Sequence, residues 1–266
     1  MSANLIDWAP GRPFVVSIHD VAPSSSGQVA HIVEALLPRV GTAMSAAIIP
    51  AGFSRGRGTQ LAAFVRGNCR EIALHGYSHQ GNCHCHPLAW LAGNSTEFIG
   101  LPPVEILARL QRGQGILREA FGAAASVLLP PAWCPGALTP AMAQRAGCYV
   151  LVGLTRLSTP TTKRPLAVYS WDCGRFAALG YAGELLGRLR CHLRAAIPCI
   201  VLHPCDIRRK LLGRGLAVID WLLHNGFAPA TFAEIAGAPP DLLSKTKPAT
   251  AHEIVERDLR HHPGAQ

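Results

Sequence analysis

Short apolar runs alternate along most of the chain with longer segments of helical periodicity. The runs are rich in Val, Ile, Leu and Ala and are bounded by Gly, Pro or polar residues, a pattern typical of buried strands. We expect strands at 14–18, 43–49, 71–74, 126–129, 148–152, 166–170, 198–202 and 228–232. Strands that alternate with helices predict a parallel sheet with helical crossover connections.

Four segments between these runs have the spacing of amphipathic helices. A helix over 28–37 should stop at Pro38, because proline inside a helix removes a backbone donor and clashes with the preceding turn. Further helices are expected at 103–121, 182–196 and 207–224. This order of elements predicts an α/β fold, a strand–helix barrel.

One domain of catalytic size accounts for the chain. Its 266 residues are 49% hydrophobic, which is ample for a single core. We expect a lead-in over 1–12, the barrel over 13–237 and a poorly ordered tail over 238–266, where Pro, Lys and Thr replace the apolar pattern. The segment from Gln80 to Pro103 has no clear period and is expected to be a long, functional loop.

Composition and charge argue against several classes of protein. Mean hydropathy is +0.21, but Pro, Gly and charged residues interrupt every apolar stretch before a membrane span is reached. The net charge is +9, yet basic residues are not interleaved with aromatic ones, so we expect no nucleic-acid binding. Nine scattered cysteines and an N-terminus without a signal-peptide pattern indicate reduced thiols and a cytoplasmic protein.

Ionisable side chains follow the ends of several predicted strands. His19 and Asp20 follow the first strand, His75 and His79 the third, and His203 the strand at 198–202. In parallel α/β folds these strand ends face a common crevice, where ligands bind. Asp20 and the two histidines of the third strand are therefore candidate ligands of a metal with open positions for water and substrate. Alternatively, Asp20 caps a turn and the histidines bond to loop backbone.

The sequence around these residues resembles the polysaccharide deacetylases with the NodB homology fold. Glu71-Ile-Ala-Leu-His-Gly-Tyr-Ser-His79 resembles their histidine motif, and Ser17-Ile-His-Asp-Val-Ala-Pro23 resembles their aspartate motif. Within that superfamily the chain is most similar to the branch of predicted deacetylases with H-D-V, H-G-Y-[ST]-H, P-x-W and a late H-P-x-D. The resemblance extends from Phe14 to Glu234, including Glu97-Phe98, and implies a distorted barrel of about seven strands.

The resemblance also implies an activity and a set of roles. One divalent ion, zinc first and nickel, cobalt or manganese as alternatives, would be bound by Asp20, His75 and His79. His203 would protonate the leaving amine, and Pro131 and Trp133 would form a groove wall with a backbone donor to the oxyanion. The implied reaction removes an N-acetyl or other acyl group from a small-molecule or glycan-like substrate.

Two positions depart from the family's pattern. His19 stands where the family has its general-base aspartate, and Leu129 stands where it has the arginine that orients this base. Histidine can act as a base near neutral pH, but His19 could also be an extra metal ligand or a structural residue. The departures leave two alternatives open: a catalytically impaired module that still binds metal, and a deacylase of non-carbohydrate amides or esters.

Several further residues have more than one interpretation. Asp206 and Asp172 either orient His203 or cap a helix or turn. Cys83-His84-Cys85-His86 binds an additional metal, responds to redox or lines the cleft, since closed zinc sites usually use separated pairs. Trp90 and Trp133 either stack on a sugar or fill the core.

Overall fold

The structure is a computed structural model that describes residues 11–81, 95–171, 177–193 and 195–238. The strands in these ranges are β1 (Arg12–Val21), β2 (Ser45–Ile48), β3 (Glu71–Leu74), β4 (Val127–Leu128), β5 (Val150–Val152), β6 (Arg156–Ser158), β7 (Lys163–Tyr169), β8 (Ile197–Leu202) and β9 (Phe227–Ala230). The helices are α1 (Ser26–Val40), α2 (Thr59–Asn68), α3 (Pro103–Phe121), α4 (Pro140–Arg145), α5 (Ala177–His192), α6 (Pro204–Arg208), α7 (Leu212–His224) and α8 (Phe232–Ala236).

The sheet closes into a barrel because β1 pairs along both of its edges. Val15 pairs with both β8 and β9, and Ser17 pairs with both β8 and β2. β8 therefore lies along one edge of β1, and β9 and β2 follow one another along the other. The ring runs from β1 through β8 and back to β1, with β9 as an additional strand beside the start of β1.

The predicted α/β barrel is confirmed, including its number of parallel strands. Of the eight strands in the described ring, β6 is antiparallel to both neighbours, so the other seven run in one direction. Each predicted strand corresponds to one observed strand. β6 was not predicted, because its three residues are too few to establish a period.

Three of the four predicted helices have different boundaries in the structure. α1 continues through Pro38 to Val40, because a proline in the last turn removes one hydrogen bond without ending the helix. The helix expected at 207–224 is split, since Lys210 has φ 58 and the N–H of Leu211 donates to the carbonyl of Asp206 at 2.8 Å, a helix-ending motif. The helix expected at 182–196 begins earlier, at Ala177, and also ends earlier.

Alternation along β1 sends its side chains into two different layers. Phe14, Val16 and Ile18 pack in the layer between the sheet and the helices, whereas Val15 belongs to the layer inside the barrel. Because successive strand residues point to opposite faces, His19 continues the inner row. The core pattern therefore directs His19 towards the barrel axis.

The predicted lead-in and tail lie almost entirely outside the described residues. β1 begins at Arg12, the last residue of the predicted lead-in, and the predicted tail lies outside the described residues apart from Ala238. In the ranges the structure describes, no helix is long and apolar enough to cross a bilayer.

Candidate metal centre

A bulge in β1 brings Asp20 to the same side as its neighbour. The pairing of β1 with β2 shifts register between Ile18 and Val21, and Asp20 lies in the left-handed region with φ 54. In a regular strand, His19 and Asp20 would point to opposite faces. Bulges redirect side chains and are common beside active sites, and here the bulge lets both residues face the end of the barrel.

The three predicted metal ligands converge on one point. Oδ1 of Asp20 lies 3.3 Å from Nε2 of His75 and 3.1 Å from Nε2 of His79, and the two imidazole nitrogens are 3.2 Å apart. Their potential ligand atoms all lie within 4.8 Å of one another. Within the described ranges, this is the one group of three or more His, Cys, Asp or Glu residues with such geometry.

Hydrogen bonding at this group fits a divalent metal. Nδ1 of His75 lies 2.9 Å from the carbonyl oxygen of Leu129, and it must donate, because a carbonyl can only accept. In the neutral ring, Nε2 then carries the lone pair that a metal requires. Oδ1 of Asp20 is buried without a hydrogen-bond partner in the described structure, although buried polar atoms normally have one.

Burial and charge shift the pKa values of His19, Asp20 and His79. Burial lowers the pKa of His19 well below its usual range, and the nearby His75 and His203 lower it further. Burial, followed by the electrostatic influence of the neighbouring His75 ring, lowers the pKa of His79 to about 4. Burial alone would raise the pKa of Asp20, but contact with His75 and the neighbouring imidazoles hold it well below its usual range. Neutral imidazoles and an ionised carboxylate are the forms that ligate metal.

A buried carboxylate holds the loop that carries His79. Oε2 of Glu97 accepts hydrogen bonds from the backbone N–H groups of Tyr77, Ser78 and His79 at 3.0, 3.0 and 2.8 Å. The Glu97 side chain is fully buried, and its Oε1 lies 3.5 Å from Nη1 of Arg109. Consecutive N–H groups that converge on one anionic oxygen form a nest. Glu97 therefore sets the backbone conformation at His79, where φ is 58.

Gly76 provides the space that this arrangement requires. Its φ is 67, and a Cβ at this position would lie 2.5 Å from Oε2 of Glu97 and 2.6 Å from Cγ of Pro131. Glycine is the residue that fits both the left-handed backbone and the close approach. The His-Gly step of the motif thus allows the loop to close over the Glu97 carboxylate.

His19 stands between the metal-ligand group and His203. Its ring centroid lies 4.7 Å from that of His75 and 5.2 Å from those of His203 and Trp133. Nε2 of His19 is buried and has no hydrogen-bond partner among the described residues. His19 is not part of the group of three residues with convergent ligand atoms.

His203 lies between β8 and α6, at the N-cap position of that helix. Its backbone N–H donates to Oδ2 of Asp206 at 2.8 Å, whereas its Nδ1 lies 3.9 Å from the same oxygen, too far for a hydrogen bond. Asp206 is fully buried. In this conformation Asp206 caps the helix, as one of the two interpretations expected, and its carboxylate is also near enough to attract a protonated His203 ring.

The turn Pro131–Trp133 follows β4 and forms one wall of the site. Ala132 and Trp133 have φ values of 50 and 58, and the half-buried Trp133 ring contacts His19. The N–H of Trp133 donates to the carbonyl of Pro130 at 3.1 Å. The backbone donor expected at this position is therefore engaged within the turn in this conformation.

Some predictions lie outside the described residues, and some features of the site were not predicted. Asp172, Trp90 and the Cys83–His86 cluster fall in the ranges that the structure does not describe. The role of Glu97 was missed, although Glu97-Phe98 formed part of the resemblance and was the available signal. The carbonyl of Leu129, which bonds to His75, had no signal, because every residue carries a carbonyl.

Comparisons with known proteins concern the fold. No protein-family model matches the chain, and no curated protein sequence matches it. Among solved structures, a proposed polysaccharide deacetylase from Mycobacterium smegmatis is 15% identical with a TM-score of 0.61, over 94% of this chain and 99% of that one. A family 4 acetyl xylan esterase from Clostridium thermocellum in complex with a cobalt ion is 13% identical with a TM-score of 0.53, over 89% and 98%.

A third structure with this fold is described as a pseudoenzyme. It belongs to carbohydrate esterase family 4 and is 11% identical with a TM-score of 0.50, over 90% of this chain and 70% of that one. Identities this low establish the architecture and leave the chemistry to the residues of the site. The chain has the NodB-like barrel fold of the polysaccharide deacetylases and family 4 carbohydrate esterases.

Proposed function

We propose that this chain is a metal-dependent hydrolase that removes an N-acetyl or other acyl group from a carbohydrate or glycan-like substrate. The observation that carries the proposal is the convergence of Asp20, His75 and His79 beside His19 and His203 at the end of the barrel. A fold shared with deacetylases and esterases supports it.

One divalent ion would be held by Asp20, His75 and His79, with zinc ahead of nickel, cobalt or manganese. When bound, such an ion supplies Lewis acidity that polarises an acyl carbonyl and lowers the pKa of water. The cobalt ion in the Clostridium thermocellum esterase supports a first-row metal. Glu97 contributes by fixing the backbone of His79.

His19 would accept a proton from the attacking water. Its Nε2 is buried and unpartnered in the described structure, and the inner row of β1 directs the ring towards the barrel axis. A carboxylate at this position would be a buried charge in need of a cationic partner. Because Leu129 replaces the family's arginine, a neutral imidazole suits this environment better than an aspartate.

His203 would donate a proton to the departing nitrogen. Its ring lies 5.2 Å from that of His19, so the two rings can act on the same substrate. The Asp206 carboxylate lies 3.9 Å from Nδ1 of His203. Water oxygen joins the acyl carbon as the carbon–nitrogen bond breaks, and the products are a carboxylic acid and an amine.

Two alternatives have observations in their favour. A catalytically impaired metal-binding module is supported by the departures at His19 and Leu129 and by a pseudoenzyme with this fold. A deacylase that acts on esters is supported by an acetyl esterase with this fold. We also propose that the protein is cytoplasmic, because Cys69, Cys134, Cys148, Cys191 and Cys199 in the described part of the chain carry free thiols.

Metal content tests the site directly. We expect about one equivalent of metal in the purified protein and none in a His75→Ala/His79→Ala variant. A His31→Ala/His224→Ala variant removes two exposed histidines and should retain the wild-type content. Absence of metal from the wild-type protein, even after reconstitution, would overturn the proposal.

An activity panel separates the proposed function from its alternatives. N-acetylated sugars, simple acetyl esters and N-acetylated amino acids are assayed with metal-loaded protein. We expect turnover of an N-acetylated sugar and a loss of about 10²–10⁴-fold in His19→Ala with metal content unchanged. Metal without turnover on any substrate favours the impaired module, whereas loss of metal in His19→Ala would make His19 a ligand.

A further inference from the structure

Helix α5 presents an apolar face to solvent. Leu185, Leu186, Leu189 and Leu193 are 73%, 57%, 53% and 60% exposed, and Tyr181 is 45% exposed. Leu193 continues the helical hydrogen bonding, because its N–H donates to the carbonyl of Leu189 at 2.9 Å. With 3.6 residues per turn, these five side chains occupy one stripe about 140° wide. We refer to these five residues as the leucine face.

Glycines on the opposite side of α5 fix this orientation. A Cβ on Gly187 would lie 2.7 Å from Cζ of Tyr169, and one on Gly180 would lie 3.1 Å from Cα of Trp171. Rotating the helix to bury the leucine face would place large side chains where these glycines now fit against the barrel. The exposure of the leucine face therefore follows from the packing of α5.

Basic side chains border the leucine face on both sides. On the helix, Arg188 and Arg190 lie at the two edges of the stripe, and the guanidinium of Arg214 lies 4.4 Å from the ring centroid of Tyr181. Glu184, the one acidic residue in α5, is buried and paired with Arg188 and Arg214 at 3.1 and 2.6 Å. The surface is thus apolar at its centre, basic at its borders and without an exposed carboxylate on α5.

We propose that the leucine face binds an anionic lipid surface. An apolar stripe with arginines at its borders is the pattern of helices that lie in the plane of a bilayer, with leucines between the headgroups and arginines near the phosphates. The net charge of +9 adds a long-range attraction to such a surface. The proposal concerns peripheral attachment and is independent of the hydrolytic chemistry.

A second copy of the chain is a less suitable partner. In a symmetric contact the same patch meets itself, so arginines at the borders of one face would approach those of the other. α5 offers no exposed acidic side chain to pair with them, and each chain carries +9. Charge complementarity therefore favours the anionic surface over the second copy.

Vesicle co-sedimentation tests this proposal. Full-length protein is mixed with phosphatidylcholine vesicles or with vesicles that also contain phosphatidylglycerol. We expect binding to the anionic vesicles that decreases with added salt, and little binding to phosphatidylcholine alone. Leu185→Ser/Leu189→Ser should weaken binding at least about tenfold, and Arg190→Gln should weaken it further at low salt.

The matched control removes exposed apolar residues elsewhere on the surface. Val104 and Leu154 are 74% and 53% exposed, and Val104→Ser/Leu154→Ser should bind vesicles as the wild type does. Equal losses in both double variants, or no binding by the wild type, would overturn the proposal. A lipid-free wild-type dimer that Leu185→Ser/Leu189→Ser converts to a monomer in sedimentation velocity would also overturn it, in favour of the second copy.

Discussion

Replacing Glu97 by glutamine tests whether a buried carboxylate positions His79, the second histidine of the proposed metal site. The native carboxylate accepts three consecutive N–H groups at 2.8 to 3.0 Å and lies 3.5 Å from Arg109. Glutamine has nearly the same shape but is neutral, and its amide nitrogen would take the place of one carboxylate oxygen. The substitution therefore removes charge while preserving volume.

The expected magnitude follows from the three bonds. A hydrogen bond to a charged group contributes about 1.5–3 kcal/mol and one between neutral groups about 0.5–1.5 kcal/mol. Losing the charge at three bonds should lower the free energy of unfolding of the metal-free protein by about 2–4 kcal/mol. Because the loop then holds His79 less firmly, affinity for zinc should fall by about 10–100-fold.

Two measurements separate these effects. Denaturant unfolding of the metal-free protein gives the stability, and competition with a chromophoric chelator gives the zinc affinity. The matched control is Glu105→Gln, which breaks the partly exposed ion pair with Arg109 at 2.9 Å and should cost no more than about 1 kcal/mol. Wild-type zinc affinity in Glu97→Gln would refute the positioning role. Equal losses of zinc affinity in Glu97→Gln and Glu105→Gln would show that the effect arises from the ion pairs of Arg109.

Three further substitutions probe the pH dependence, the packing and the metal loop. Burial raises the pKa of Glu71 from 4.5 to about 7, so the folded state holds this proton more tightly than the unfolded state. The protonated side chain therefore contributes about 3 kcal/mol to the free energy of unfolding. This contribution is present below pH 4.5 and is lost as the pH rises through 7. The free energy of unfolding, measured at several pH values, should decrease over this range in the wild type and not in Glu71→Gln. The same pH dependence in both proteins would contradict the prediction. Gly187→Ala, with a Cβ 2.7 Å from the ring of Tyr169, should lose about 1–3 kcal/mol in urea unfolding, whereas Gly183→Ala, with open space, should gain about 0.5–1 kcal/mol; a stabilised Gly187→Ala would show that α5 does not pack as described. Gly76→Ala should fold but bind zinc at least about tenfold more weakly, measured with the same chelator, and unchanged affinity would mean that the loop tolerates a side chain.

The strands of the barrel were predictable because they are covered on both faces. Buried parallel strands appear as continuous apolar runs, and such runs precede His75 and His203 in the sequence. β6 escaped prediction because Arg156–Ser158 is held by a local antiparallel pairing rather than by burial of a long run. α2 was also missed, since a left-handed glycine, Gly58, precedes it instead of a side-chain cap.

The candidate site was predictable only where strand ends carry the chemistry. The grouping of His75 and His79 followed from their position after β3, and the structure brings them to Asp20. The bulge that turns Asp20 and the bonds from Glu97 to the loop depend on backbone geometry and on contacts distant in sequence. No local pattern of residue types encodes such features.

Because β1 pairs with both β2 and β8, the candidate site contains residues that are synthesised early and residues that are synthesised late. Asp20 lies in β1, and His75 and His79 follow β3. The first three strands pair with one another directly. His203 follows β8, whose pairing with β1 joins residues as distant in sequence as Val15 and Cys199 and should form slowly. A nascent or truncated chain would therefore bring the proposed metal ligands together before the proposed proton donor is present, so that metal uptake would report the formation of the first strands and turnover the closure of the barrel.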